Sequence, residues 1–404
     1  FFSSVKNRSA SKPPSRPTPE FFIPPKGVRK SLRSQQLTQM IPLSSRSEMR
    51  CARLRFSVQT VADHDLPTLS PLPLMQLSIG FWSFKALATA YELDLFARLS
   101  DTDGHGIDEL AEMLGIGRRP MELLVTACAS IGLLERRGGR YVNSALADEF
   151  LVPGKAHHFG GWVQMLDRRL YPAWGRLTEA VRTNRPTSWN PDEQAHLFDS
   201  EDPTLLALFW EAMHSLSTFT ARELGAHVDL SASTALLDVG GGSGAYDIEL
   251  CRRYPNLRAT VFDLPRVCEI ASEKIVAAGD EDRIAVARGD FLADTELPSG
   301  HDVVLLSMIM HDWTPEQDLE ILRKCCAALP PGGRIVISEL LVNDEKTGPP
   351  AAALMSLNML VEAMGRNYTA AEYEQWLHAT GFVDVQTVSF EAPGANGAVL
   401  ARKP

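Results

Sequence analysis

Apolar and polar positions divide this chain into three stretches. From about Leu74 to Leu151 apolar residues recur at helical spacing, and Phe81 to Leu99, Ile107 to Gly115 and Arg118 to Ile131 predict successive helices. Gly132 to Val142 then predicts a two-stranded hairpin turning about Gly138-Gly139. Helix, turn, helix and hairpin make a winged-helix layout over residues 72–158. Residues 159–228 predict a helical connector rich in Met and aromatics, among them Trp162, Trp174, Phe198, Phe209, Trp210 and Met213. Such side chains fill a core and also suit the wall of a flat apolar pocket. Over 229–404, strands at 235–239, 258–262, 284–287, 302–309, 334–338, 383–390 and 396–401 alternate with helices. That alternation predicts a doubly wound, Rossmann-like α/β domain.

The composition, 404 residues with 45% hydrophobic side chains, suits two or three globular domains. No run of 18 apolar residues occurs, so no membrane span is expected. The six cysteines form no C-x-x-C pair and no Cys/His group with metal-ligand spacing, so no metal is expected and the chain reads as a reduced, cytoplasmic protein. Net charge is −10, but residues 1 to 57 carry +10 and the remainder −20. An acidic folded part argues against nucleic acid as a partner. The helix from Arg118 is also too apolar around its circumference for a DNA groove and better suited to a subunit interface. Residues 1–60, rich in Ser, Pro and basic side chains, are expected to be a disordered basic tail. They read either as a transit peptide or as sequence upstream of a start near Met49, and seven prolines in the first 57 residues favour the second.

Candidate chemistry begins at Leu236-Leu-Asp-Val-Gly-Gly-Gly-Ser-Gly244, a strand running into a glycine turn that opens a helix. Gly240, Gly242 and Gly244 fit an S-adenosylmethionine (SAM) site, while Gly240, Gly242 and Ala245 fit the dinucleotide fingerprint. Asp238 at the strand end favours SAM, because an anion there suits the ammonium of a methionine moiety and not a pyrophosphate. Asp263, with Leu264 beside it, closes the next strand where a carboxylate can accept ribose hydroxyls. Asp290 and Phe291 end a third strand and offer a carboxylate and an aromatic face to adenine.

His311 follows the buried strand 302–309, and Glu339 ends the next one. Side chains at adjacent strand ends can meet, and a carboxylate on one imidazole nitrogen raises the basicity of the other. A SAM methyl is already activated by its sulfonium, so what remains is alignment and removal of the acceptor proton. Asp312 and Trp313 are candidate pocket residues or the start of a helix capped by Thr314 with Pro315 in its first turn.

In order, the winged-helix-like front, Leu-Asp-Val-Gly-Gly-Gly-Ser-Gly, Phe-Asp-Leu-Pro, Gly-Asp-Phe, His-Asp-Trp and Pro-Gly-Gly resemble the SAM-dependent O-methyltransferases of the caffeate and acetylserotonin type. The resemblance covers about residues 72–402 and implies a class I methyltransferase fold behind a dimerisation domain, and a homodimer acting on a hydroxylated aromatic or polyketide-like small molecule. It implies His311 as general base with Glu339 flanking it, the Gly240–Gly244 turn around the methionine part, and Met213 and Asn358 at the acceptor. Two positions depart from the family: Asn367 stands for a second glutamate beside the histidine, and Ser307 for a lysine near the cofactor. Some relatives have turned to decarboxylation or hydroxylation, which is the alternative expectation. A SAM-sensing DNA-binding regulator is a third.

Overall fold

The computed structural model describes residues 69–190, 192–193 and 203–404, with the side chains of 203–205 excepted. The expected basic tail and Phe198 lie outside the described residues. The N-terminal helices are α1 (Leu72–Glu92), α2 (Leu95–Leu99), α3 (Ile107–Met113) and α4 (Arg118–Ser130). The single helix expected over Phe81–Leu99 is thus two, because Asp94 takes a left-handed conformation (φ 58°) and breaks the hydrogen-bond ladder. The hairpin β1 (Leu134–Arg137) and β2 (Arg140–Asn143) turns at Gly138-Gly139, both at positive φ as its tight turn requires. Ala90, Phe96, Leu110, Met121, Val125 and Cys128 are among the residues that close the core of this region.

A helical stretch follows: α5 (Ala145–Leu151), α6 (Gly160–Met165), a π-helical turn at Leu166–Leu170, α7 (Tyr171–Trp174), α8 (Leu177–Thr183) and the long α9 (Pro203–His227). The remainder alternates: β3 (Ala235–Val239), α10 (Ala245–Arg253), β4 (Arg258–Asp263), α11 (Pro265–Ala278), β5 (Ile284–Arg288), β6 (Val303–Ser307), α12 (Pro315–Ala328), β7 (Arg334–Glu339), α13 (Pro350–Glu362), α14 (Ala370–Ala379), β8 (Val383–Ser389) and β9 (Gly397–Arg402).

These strands form one seven-stranded sheet in the order β5-β4-β3-β6-β7-β9-β8, parallel except for β9, which is antiparallel to both neighbours. The expected doubly wound sheet is therefore present, with a mixed edge. Alternation along each strand feeds a core on either face. Leu236, Val303, Leu305 and Val336 pack on one side, while Leu237, Val304, Leu306, Ile335 and Ile337 pack on the other. Burial on both faces explains why these strands read as continuous apolar runs in the sequence.

One strand is shorter than its pattern predicts. Val303–Met310 is apolar at every position but Ser307, yet β6 stops there, because Met308 adopts φ 56°. Its N–H still donates to Ser338 O at 3.0 Å, and the chain then winds into a one-turn 3-10 helix at Met310–Asp312. His311 consequently sits on a tight turn, not on the strand.

Candidate active site

The sheet order reverses between β3 and β6, and open α/β sheets bind ligands at such a switch point, outside the carboxyl ends of the strands. A cavity lies there. Of the residues expected at the cofactor or the acceptor, Gly240, Asp263, Leu264, Asp290, Phe291, Asp312 and Trp313 line it. Asp238, Gly242, Gly244 and Ser307 do not. Ser307 is buried in register with Ser338, and Gly244, at φ 72°, packs its backbone against Val261 and Ile275.

The residues present fit the cofactor. Asp238 is wholly buried against a second buried acid, Asp247, and burial, followed by the charge of Asp247, holds its carboxyl well above the usual range. Two buried acids with no cation beside them among the described residues are what an ammonium would satisfy. Asp263 accepts from Gly242 N–H at 2.9 Å and Leu264 N–H at 2.7 Å, one bond to each oxygen, which fixes the carboxylate and leaves lone pairs for hydroxyls. Burial nevertheless pushes Asp263 up to about 6. The turn itself has no room to spare. A Cβ on Gly240 would stand 2.5 Å from Ile309 Cδ1, and one on Gly242 2.7 Å from Trp210 Cζ3.

At the carboxyl ends of β6 and β7, His311 Nδ1 lies 2.6 Å from Glu339 Oε2, with both side chains buried. Burial opposes charge on the imidazole, but the carboxylates of Glu339 and Asp312 outweigh it and His311 is pushed up to about 9. Its other nitrogen, Nε2, is 3.8 Å from Asp312 Oδ1. Asp312 is itself raised to about 6 by burial. A third acid, unannounced by the sequence pattern, stands behind them. Asp318 is fully buried without a hydrogen bond to either oxygen, and burial and the charge of Glu339 push it up to about 9.

The expected acceptor residues divide. Met213 packs with Trp162, Leu166 and Trp174 around Met165 and Leu170. Asn358 is hydrogen-bonded on both sides, accepting from Trp174 Nε1 at 2.7 Å and donating to Glu362 Oε2 at 2.9 Å. Asn367, expected beside the histidine, donates instead to Leu340 O at 2.9 Å and makes no hydrogen bond to His311. Its shorter side chain is turned to the backbone just beyond β7.

Sequence reasoning missed several residues at this centre. Trp210 and Ile309 line the same cavity, and Lys324, buried in α12, donates to Phe291 O at 2.9 Å and Leu292 O at 3.0 Å, tying down the loop that carries Asp290. Arg169 and Glu362 form a buried ion pair at 3.1 Å. The aromatic richness of 159–228 was the only signal for Trp210, and a lysine in an amphipathic helix gives none.

Comparison with known proteins agrees with this geometry. The family model of the O-methyltransferase domain matches residues 174–383, and that of the O-methyltransferase dimerisation domain matches residues 75–153. The chain is 53% identical over 333 residues to the 3-hydroxy-5-methyl-1-naphthoate 3-O-methyltransferase of Streptomyces sahachiroi, covering 82% of this chain and 95% of that one. It is 35% identical to acetylserotonin O-methyltransferase of Bos taurus, covering 82% and 97%. Human N-acetylserotonin methyltransferase in complex with SAM superposes with a TM-score of 0.75 at 29% identity, covering 84% of this chain and 99% of that structure. By its turn, its buried acids and these likenesses, the chain belongs to the SAM-dependent O-methyltransferases of the caffeate and acetylserotonin type.

Proposed function

We propose that the protein methylates a hydroxyl on a fused-ring aromatic acceptor, as a homodimer, with His311 as general base. The carrying observation is the 2.6 Å contact between His311 and Glu339 beside Asp312, which lines the cofactor cavity. The naphthoate-methylating relative at 53% identity supports the acceptor class. The match to a dimerisation domain supports the dimer, and α1 presents Leu77, Phe81 and Trp82 largely to solvent. Among the described residues five cysteines are free, four of them buried, which suits a reducing compartment such as the cytoplasm.

SAM, when bound, supplies a methyl group already activated by its sulfonium. The protein's own task is the proton. A phenol has a pKa of about 10, so at neutral pH its hydroxyl needs a base at the moment of transfer, a service worth roughly 10²- to 10⁴-fold. With Glu339 on Nδ1, His311 presents Nε2 to the hydroxyl, and the carboxylate stabilises the imidazolium that results. His311 must first be neutral, and positive charge brought beside Asp312 disfavours its proton. Met213, Asn358 and the aromatics around them hold the ring, and Asp238, Asp263, Asp290 and Phe291 hold the cofactor.

Incubation with labelled SAM and 3-hydroxy-1-naphthoate, followed by mass spectrometry, tests the reading. Gain of one methyl on oxygen is the expected result. Loss of the carboxyl group or gain of oxygen would overturn it in favour of altered chemistry on the same fold.

A further inference from the structure

Arg169 projects from the π-helical turn Leu166–Leu170, a local widening of the helix that recurs at functional sites. Its guanidinium lies over the Phe209 ring, 5.3 Å from the centroid, and 3.1 Å from Glu362 Oε1. The side chains of Arg169 and Glu362 are only 12% and 8% exposed. Among the described residues the guanidinium makes no hydrogen bond, and Glu362 Oε1 has no hydrogen-bond partner either.

As a stabilising element this pair is poor. Two charges removed from water need hydrogen bonds as well as attraction to offset the loss of hydration, and here none is formed between them. The pair is nevertheless held in place. Asn358 grips Glu362 Oε2 at 2.9 Å, Trp174 grips Asn358 at 2.7 Å, and Trp189 Nε1 donates to Glu362 O at 2.7 Å. Glu362 thus anchors Arg169 by charge at Nη2 while leaving the other donors of its planar fork uncommitted. The pair also stands beside the residues assigned to the acceptor, for Leu166 and Leu170 of the same turn pack with Met213, and Asn358 donates to Glu362.

We infer that Arg169 reads a carboxylate on the aromatic acceptor, so that the substrate is a hydroxyaryl carboxylic acid whose acid group docks on the guanidinium while its hydroxyl faces His311. A carboxylate meets the fork with two parallel N–H···O bonds, which a hydroxyl or an apolar ring edge does not. The Phe209 face fixes the guanidinium plane, and Glu362 keeps it from turning away when no acceptor is bound. The assignment rests on the proposed methylation of an aromatic acceptor and adds to it the charge of that acceptor.

The test uses two probes that differ only in the acid group, 3-hydroxy-1-naphthoate and 2-naphthol, with the full chain. Binding of each is measured by calorimetry in the presence of S-adenosylhomocysteine, and methylation separately. Wild type is expected to bind the acid about 100-fold more tightly than the naphthol, and R169M to lose most of that preference. Equal affinity of wild type for both probes, or no binding of the acid, overturns the assignment without need of a variant. A preference that survives in a folded R169M, or in R169K to the full wild-type extent, overturns it as well, since a lysine cannot reproduce the fork. If the acid binds with an Arg169-dependent preference and neither probe is methylated, the carboxylate assignment stands and the proposed reaction falls.

Discussion

Glu339 Oε2 lies 2.6 Å from His311 Nδ1, while its second oxygen, Oε1, is buried without a hydrogen bond. The carboxylate is therefore committed to the imidazole by one oxygen only. His311→Ala should lower kcat by roughly 10²- to 10⁴-fold while S-adenosylhomocysteine affinity changes little. Single-turnover kinetics and calorimetry check the two halves, and wild-type turnover would remove His311 from the reaction.

The pH dependence follows from the sign of the His311 shift. A base must be unprotonated, and His311 is raised to about 9, so kcat/KM should climb with pH and level off above about 9. Glu339→Gln removes the leading attraction for the proton and should move that limb downward. Stability moves the opposite way. The raised group contributes stability that is fully present below its unfolded pKa of about 6.5 and is lost as pH rises through about 9. Thermal melts across this window should fall further in wild type than in Glu339→Gln. An acid limb unmoved by that substitution would contradict the pairing.

Much of this centre was visible in the sequence, for a physical reason. Strands buried on both faces read as unbroken apolar runs, so Leu236–Val239 and Arg334–Ser338 fall where expected, and the meeting of His311 and Glu339 follows from adjacent strand ends. Backbone conformation is less legible. Nothing in Val-Val-Leu-Leu-Ser-Met-Ile-Met announces that Met308 turns left-handed and cuts β6 short. Arg169, Glu362 and Asp318 lie in helical turns where a charged residue reads as solvent-facing, and only packing reveals them as buried. Asn367 was placed by position alone, and its hydrogen bond to Leu340 O is a tertiary choice.

Cofactor binding should release protons. Burial pushes Asp263 up to about 6 and Asp247 up to about 7, and holds Asp238 well above its usual range. An ammonium beside Asp238 and hydroxyls on Asp263 favour the ionised forms. Affinity for S-adenosylhomocysteine should therefore rise from pH 6 to 8, and the calorimetric heat should depend on the buffer's ionisation enthalpy. Equal heats in phosphate and Tris would count against it.

Gly242 combines a left-handed φ of 58° with a Cβ position 2.7 Å from Trp210 Cζ3. Gly242→Ala must strain the turn, at about 1–2 kcal/mol, and push the indole aside. Because Trp210 lines the cofactor cavity, the expected result is weaker S-adenosylhomocysteine binding, by tenfold or so, with a smaller loss in melting temperature than a core substitution gives. Unchanged affinity would show that the indole does not touch the cofactor.

The apolar surface of α1 bears on assembly. Leu74, Leu77, Phe81 and Trp82 are 69, 79, 50 and 59% exposed, whereas the same helix buries Ala88 and Ala90 near its other end. Large side chains concentrated on one exposed stretch point to a covered surface, and a stable interface needs about 800 Å² from each partner. Phe81→Glu with Trp82→Glu removes two aromatic anchors without touching a core residue. Sedimentation velocity should then show a shift from two copies to one, with the melting transition of each subunit retained. If the double variant still sediments as a dimer, the subunits meet elsewhere and α1 covers no partner.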